Sequence, residues 1–225
     1  MTKAEVLNRI REIGIVPVVR ARSADEARAA CEAVAAGGIP IVEITMTVPG
    51  AVQVIARLGS EFKDQVLIGA GTVLDPDAAR ECIAAGAQFL VSPGLDISTI
   101  EAAKTKGVLM MAGALTPTEV ITAWKAGSDV VKIFPCGNVG GPKYIKALKG
   151  PLPQIPMVPT GGINLQTAGE FLNAGAEALG VGGELINAEA LRARKFSVIT
   201  DLAKQFVQIV RTRRAISAQV AGVTA

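Results

Sequence analysis

The chain of 225 residues contains no histidine. That removes the commonest general base and the commonest ligand of zinc and other catalytic metals, so acid/base chemistry falls to Glu, Asp, Lys, Tyr or Cys and no metal site is expected. Cysteine is scarce as well. Cys31, Cys82 and Cys136 are odd in number, far apart, and set in Ala-rich helical segments or beside a Pro-Cys-Gly turn, the pattern of reduced thiols in the cytoplasm and not of a disulfide framework. No apolar run approaches the length needed to span a bilayer. The first residues, MTKAEVLNRIREIG, space Val6, Leu7, Ile10 and Ile13 at helical intervals among charges, which describes an amphipathic helix and not a signal segment. Charge of one sign is missing too. Lys and Arg number 23 against 20 Asp and Glu, scattered without a basic run, which argues against nucleic acid or a membrane surface as partner and leaves room for an anionic small molecule.

What is present is apolar material, 50% of the chain, with 19% charged, enough for one buried core, and residues 1–225 are read as a single domain. Short β-branched runs alternate with Ala-rich amphipathic stretches throughout, the pattern of repeated β-α units around a parallel sheet. Eight strands are predicted, near residues 15–20, 41–46, 67–72, 89–93, 108–113, 130–135, 157–161 and 178–182. Ala-Gly pairs ending at Gly37, Gly86, Gly127 and Gly175 each close a helical stretch just before a strand, and each interval between them holds two β-α units. Four such blocks make a closed (β/α)8 TIM barrel with an N-terminal helix. The alternative, an open doubly wound sheet, calls for a Gly-rich first turn. The first strand instead runs into VVRARSADEA, where Ser23 suits an ordinary helix N-cap. Val198, Ile199, Leu202, Phe206, Ile209 and Val210 mark a last helix, and the stretch beyond Arg214 is expected to be a mobile tail.

In such a barrel, chemistry sits at the C-terminal ends of the strands. Two charged residues lie inside strand-end runs, Glu43 in IVEITM on the second strand and Lys132 in DVVKIFP on the sixth. Those strands are diametrically placed, so if both side chains point inward they face each other across the mouth. An ammonium buried among Val130, Val131, Ile133 and Phe134 is disfavoured by desolvation, which leaves a free amine available as a nucleophile. A structural Lys132–Glu43 ion pair is the other reading of the same two residues.

Two glycine pairs form the second signal, Gly161-Gly162 in PTGGIN and Gly182-Gly183 in GVGGEL, after strands seven and eight. Backbone amides at those turns can cradle phosphate in barrels, although Gly-Gly is also ordinary turn chemistry. Arg20, at the end of the first strand, suits a substrate carboxylate through bidentate pairing, or is simply a surface arginine. Thr45, Thr72, Ser92 and Thr160 are further polar groups at strand ends.

With VEITMT, GAGTVL, FLVSPG, VVKIFP and VPTGGI in this order, nearly the whole chain resembles the 2-keto-3-deoxy-6-phosphogluconate (KDPG) aldolase family, which includes 4-hydroxy-2-oxoglutarate (KHG) aldolases. The resemblance implies a homotrimeric class I aldolase that reversibly cleaves KDPG to pyruvate and glyceraldehyde 3-phosphate, without metal or organic cofactor. It makes Lys132 the Schiff-base lysine and Glu43 the acid/base. Thr72 and the turn at Pro93 become pyruvate-carboxylate contacts, Thr160 a distal substrate contact, and Gly161, Gly162, Gly182 and Gly183 the phosphate amides. Two positions depart from the family pattern. Thr47 stands where many members carry a carboxylate-gripping arginine, a role for which Arg20 is the substitute here, and Gly183, followed by Glu184, stands where many carry a serine. The rivals are the same chemistry on KHG or another 2-keto-3-deoxy sugar acid, and a non-catalytic phosphosugar-binding barrel.

Overall fold

The computed structural model describes residues 1–223. Helix α1 (Lys3–Ile13) leads into β1 (Ile15–Val19), and the chain then alternates α2 (Ala24–Ala36), β2 (Ile41–Thr45), α3 (Ala51–Phe62), β3 (Leu67–Gly71), α4 (Pro76–Ala84), β4 (Phe89–Val91), α5 (Ile97–Thr105), β5 (Leu109–Ala114), α6 (Pro117–Ala126) and β6 (Val130–Ile133). The last units are α7 (Pro142–Lys149), β7 (Met157–Pro159), α8 (Ala168–Asn173), β8 (Leu179–Val181), α9 (Ala188–Arg192) and α10 (Phe196–Val223). The helix starts are chemically marked. Thr2 and Thr116 form capping boxes with Glu5 and Glu119, and Ser23, Asp75, Asp96 and Asn187 accept from amides of the first helical turn.

The strands form one parallel sheet in the order β7-β6-β5-β4-β3-β2-β1-β8. A further parallel bridge, Thr160 to Gly180, joins the two ends and closes the barrel. Side-chain parity follows from the two-residue period of a strand. Ile15, Val19, Val42, Ile44, Ile68, Ala70, Met110, Val131 and Ile133 point outward and pack with the helices in one apolar cluster. Val16, Ile41, Leu67, Phe89, Val91, Leu109, Met111, Val130 and Val158 point inward and form a second, which Val6 and Ile10 of α1 seal from below.

The eight expected strands are all present, but several end earlier than the sequence pattern suggests, so Arg20, Met46, Thr72, Pro93, Pro135, Gly161 and Gly182 lie just beyond them. At the first Ala-Gly pair the left-handed residue is Gly38 (φ 92°), not Gly37 (φ −83°). Gly37 is required by packing instead, since a Cβ there would lie 2.4 Å from that of Ala203 in α10. The stretch beyond Arg214, expected as a tail, continues α10 as helix to Val223, while residues 224 and 225 lie outside the described residues.

Candidate active site

Inward parity places Glu43 on β2 and Lys132 on β6 in the upper part of the barrel interior. Val18, Glu43 and Gly69 share one level across β1, β2 and β3, and Gly113, Lys132 and Val158 share one across β5, β6 and β7. Lys132 Nζ and Glu43 Oε1 stand 3.9 Å apart, with their side chains only 6% and 3% exposed. That gap is too long for a hydrogen bond, and Glu43 Oε1 is a buried oxygen without a hydrogen-bond partner among the described residues. Burial therefore drives the Glu43 carboxyl above its ordinary range, with Lys132 and Arg20 pulling it back down. The ring of Phe134 lies 5.4 Å from Lys132 Nζ and shields one side of the amine.

Inward-facing glycines clear the space these groups occupy. A Cβ on Gly71 would fall 1.8 Å from Glu43 Oε1, so only glycine at this β3 position admits the carboxylate. A Cβ on Gly113 would meet the Pro93–Gly94 backbone at 2.3 Å, and one on Gly180 would meet Thr160 Oγ1 at 2.1 Å. These glycines escaped the sequence reading, which looked for chemistry-bearing side chains. The usable signal was an alternating pattern, Gly69 and Gly71 on one face of β3 with Gly113 on the same face of β5.

Around the pair, Thr72 sits directly past β3 with φ 59°, a left-handed conformation that is unusual for a β-branched residue, and its hydroxyl has no hydrogen-bond partner among the described residues. The hydroxyl of Ser92 donates to the Gly94 carbonyl and accepts from the Gly113 amide, fixing the turn that presents Pro93. Thr45 is spoken for, since its hydroxyl donates to the Val19 carbonyl and lies 2.7 Å from that of Thr47. The geometry thus gathers Thr72 and Pro93 on the β3–β4 side of Glu43.

The opposite side holds a cavity of about 140 Å³ lined by Arg20, Phe134, Thr160, both glycine pairs and Glu184. Gly161 (φ 92°) and Gly162 (φ 77°) adopt left-handed conformations, and a Cβ on Gly162 would lie 2.7 Å from Gly137. The Gly137 amide donates to the Gly161 carbonyl, tying this turn to the end of β6. The amides of Gly162, Gly183 and Glu184 have no partner among the described residues. A Cβ on Gly183 would meet nothing within 4 Å, so the missing side chain leaves open space. A larger groove of about 550 Å³ lies elsewhere, between α2 and the α9–α10 corner. Arg28 and Arg57 in it pair with Glu61 and Asp25, and it shares no residue with the barrel mouth, so the smaller cavity is the one relevant to the chemistry.

Among the described residues, no three His, Cys, Asp or Glu side chains converge as metal ligands, and no helix is long and apolar enough to cross a membrane. The three cysteines are unpaired and buried. Burial pushes the Cys31 and Cys136 thiols up to about 12, which makes them poor nucleophiles.

Comparison with known proteins adds a second line of observation. A family model described as KDPG and KHG aldolase matches residues 6–202. A 2-dehydro-3-deoxy-phosphogluconate aldolase of Treponema pallidum is 37% identical over 211 residues, 93% of this chain and 98% of that protein. A KHG/KDPG aldolase of Escherichia coli strain K12 is 34% identical over 195 residues, 86% of this chain and 91% of its own. The fold superimposes with a TM-score of 0.82 on a KDPG aldolase from Legionella pneumophila, 31% identical, over 88% of this chain and 96% of that one. In that crystal structure, pyruvate was captured at low pH as a covalent carbinolamine intermediate.

Proposed function

The chain belongs to the KDPG and KHG aldolase family, and we propose that Lys132 is the amine and Glu43 the proton carrier through which it works. It is an aldehyde-lyase on a (β/α)8 barrel, and the reaction is the reversible class I cleavage of 2-keto-3-deoxy-6-phosphogluconate to pyruvate and glyceraldehyde 3-phosphate. The observation that carries the residue roles is the isolated pair in the barrel interior, Lys132 Nζ 3.9 Å from an otherwise unpartnered Glu43 Oε1. A purely structural ion pair gains from contact and from satisfying every lone pair. This one is spaced beyond hydrogen-bond contact and leaves Glu43 Oε1 without a hydrogen-bond partner among the described residues, so that oxygen is available to take a proton.

In the forward direction the Lys132 amine adds to the C2 ketone and forms a carbinolamine, and water leaves to give the iminium, with Glu43 relaying protons. The iminium is the electron sink. Glu43 then accepts the C4 hydroxyl proton, C4 becomes the aldehyde carbonyl, the C3–C4 bond breaks, and its electron pair forms the enamine. Protonation at C3 by the now neutral Glu43 and hydrolysis of the resulting iminium release pyruvate and return the amine. In this reading Thr72 and the Pro93 turn hold the carboxylate of the keto acid. Thr160 and the amides at Gly161, Gly162, Gly182 and Gly183 receive the distal end, and Arg20 supplies a cation to the substrate. No metal or organic cofactor takes part.

Trapping with pyruvate and borohydride, followed by mass-spectrometric mapping, tests the assignment. The expected adduct is on Lys132, and its absence there removes the proposal. A second reading, the same chemistry on 4-hydroxy-2-oxoglutarate, is favoured by one observation: the distal cavity lacks a side-chain hydroxyl at Gly183 and counts Glu184 in its lining. Relative kcat/KM for the two substrates decides between them. We further propose that residues 1–225 act as one aldolase domain, in a cytoplasmic homotrimer. Buried, unpaired cysteines suit a reducing compartment. The exposed Leu74, between β3 and α4, and Ile97, the first residue of α5, are apolar groups that a subunit contact would cover.

A further inference from the structure

A keto acid reacts only if its carboxylate is held in register with the amine that attacks its carbonyl, yet neither Thr72 nor Pro93 lies on the strand that carries Lys132. Resting on the aldolase reading above, we infer that Ser92 is the positioning residue that supplies this register. Its side chain ends β4, seats the Pro93 turn against β5, and so sets where the carboxylate lies relative to Lys132.

The hydrogen bonds at the end of β4 carry the first half of this. β4 is only three residues long, and its register partners on β5 are Leu109, Met110 and Met111, so Ala112, Gly113 and Ala114 run on beyond it. The Ser92 amide adds one more ladder bond, to the Met111 carbonyl at 3.2 Å. In a continued parallel ladder the Gly113 amide would then donate to the Ser92 carbonyl. It donates instead to Ser92 Oγ at 3.0 Å, and the Ser92 carbonyl has no hydrogen-bond partner among the described residues. The hydroxyl has taken the ladder position of its own backbone, which releases the chain from the sheet at this residue.

The placement of the released turn carries the second half. The same hydroxyl donates to the Gly94 carbonyl at 2.7 Å, so one buried oxygen both closes the turn and ties it to β5. Gly113 makes the close seat possible, since a Cβ there would lie 2.3 Å from the Pro93 carbonyl carbon and 2.5 Å from its oxygen. Gly113 is also the register partner of Lys132, so the Pro93 peptide rests on the neighbouring strand at the level of the amine. Thr72 is tied to the same place, because Val73, the next residue, donates to the Val91 carbonyl at 3.1 Å. Loss of the Ser92 hydroxyl would leave the Gly113 amide and the Gly94 carbonyl without this partner and free the turn to shift, while Lys132 on β6 keeps its place.

The test separates carboxylate placement from amine reactivity. Ser92→Ala is compared with the unaltered protein in two measurements: borohydride trapping as a function of pyruvate concentration, and binding of oxamate, which carries the carboxylate beside an amide carbonyl that forms no imine. The expected result is a pyruvate half-saturation raised about tenfold, with the trapping rate at saturation changed less than about twofold and oxamate binding weakened about tenfold. Ser92→Thr, which keeps the hydroxyl, should recover most of both losses. Gly113→Ala pushes the same turn from the β5 side, should raise the half-saturation likewise, and carries the test alone if Ser92→Ala lacks native far-UV circular dichroism. An unchanged half-saturation or an unchanged oxamate affinity overturns the inference, as does a fall of about tenfold in the saturated trapping rate, which would place the effect on Lys132. If the unaltered protein traps no pyruvate on Lys132, the aldolase reading fails, and the oxamate titration still decides whether Ser92 sets the carboxylate seat; an unaltered protein that does not bind oxamate either overturns the inference as well.

Discussion

The two ends of the barrel are built from the same strands yet follow opposite rules. At the bottom, Val6 and Ile10 of α1 close over Val16, Ile41, Leu67, Phe89 and Leu109 in a cluster with no polar atom to satisfy. Lys3–Asp129, the Arg9 bonds to the carbonyls of Asp64 and Gln65, and the Arg11–Glu177 pair tie α1 around the rim. At the top, the same inward parity yields Glu43, Lys132, three cleared glycines, a left-handed Thr72 and a buried carboxylate oxygen without a hydrogen-bond partner among the described residues. The bottom is optimised for packing, whereas the top holds polar groups that packing alone does not satisfy, the local departure expected of a functional site.

The contrast breaks most sharply at Lys132. Lys132→Ala is expected to lower kcat on the order of 10⁴-fold, as loss of a covalent nucleophile does, while far-UV circular dichroism stays native. A comparable loss of folded structure would make the residue a structural one. Ile10→Ala inverts the pattern. It opens a cavity in the sealed lower cluster and should cost about 2–5 kcal/mol in denaturant unfolding, with kcat/KM per folded molecule unchanged. Between the two lies Gly71→Ala, which keeps every titratable group but displaces the Glu43 carboxylate. Turnover should fall about 10²-fold, and a rate within a few-fold of normal would show that carboxylate placement is not critical.

The smallest expected effect is a shift in pH dependence. Because burial raises the Glu43 carboxyl above its ordinary value of 4.5, Glu43 becomes protonated, and unable to accept the C4 proton, before an exposed carboxylate would. The acid limb of kcat/KM should therefore lie above pH 4.5, and Arg20→Met, which removes a cation that favours ionised Glu43, should move it further up. Stability runs the other way. A carboxyl with a raised native value contributes stability at low pH that is lost as pH rises through that value, so Glu43→Gln should flatten the decline toward neutrality.

Much of the mouth was legible in one dimension because its ingredients violate local rules. A lysine between valines and isoleucine, or a glutamate within IVEITM, contradicts the burial preference of its own segment, and such contradictions concentrate at functional sites. The Ala-Gly pairs exposed the barrel's block structure, three of them, at Gly86, Gly127 and Gly175, through left-handed turn glycines. Less legible were features whose cause lies in a neighbour distant in the chain. Gly37 is a glycine because of Ala203, and Gly71 because of Glu43. The end of the chain was read as a tail because its Ala-rich pattern lacks an apolar stripe, yet the backbone continues as helix to Val223.

The sequence by itself determined the alternation of strands and helices, the N-caps, and the parity that turns Glu43 and Lys132 to the same interior, because these depend on spacing along one strand or one turn. Only the tertiary structure decided that the two groups stop 3.9 Å apart and that Arg20 leans on Gly182 beside the β8 turn. Those distances arise from how far the closed sheet carries each strand around the barrel and from which interior positions give up a Cβ, quantities that involve several strands at once.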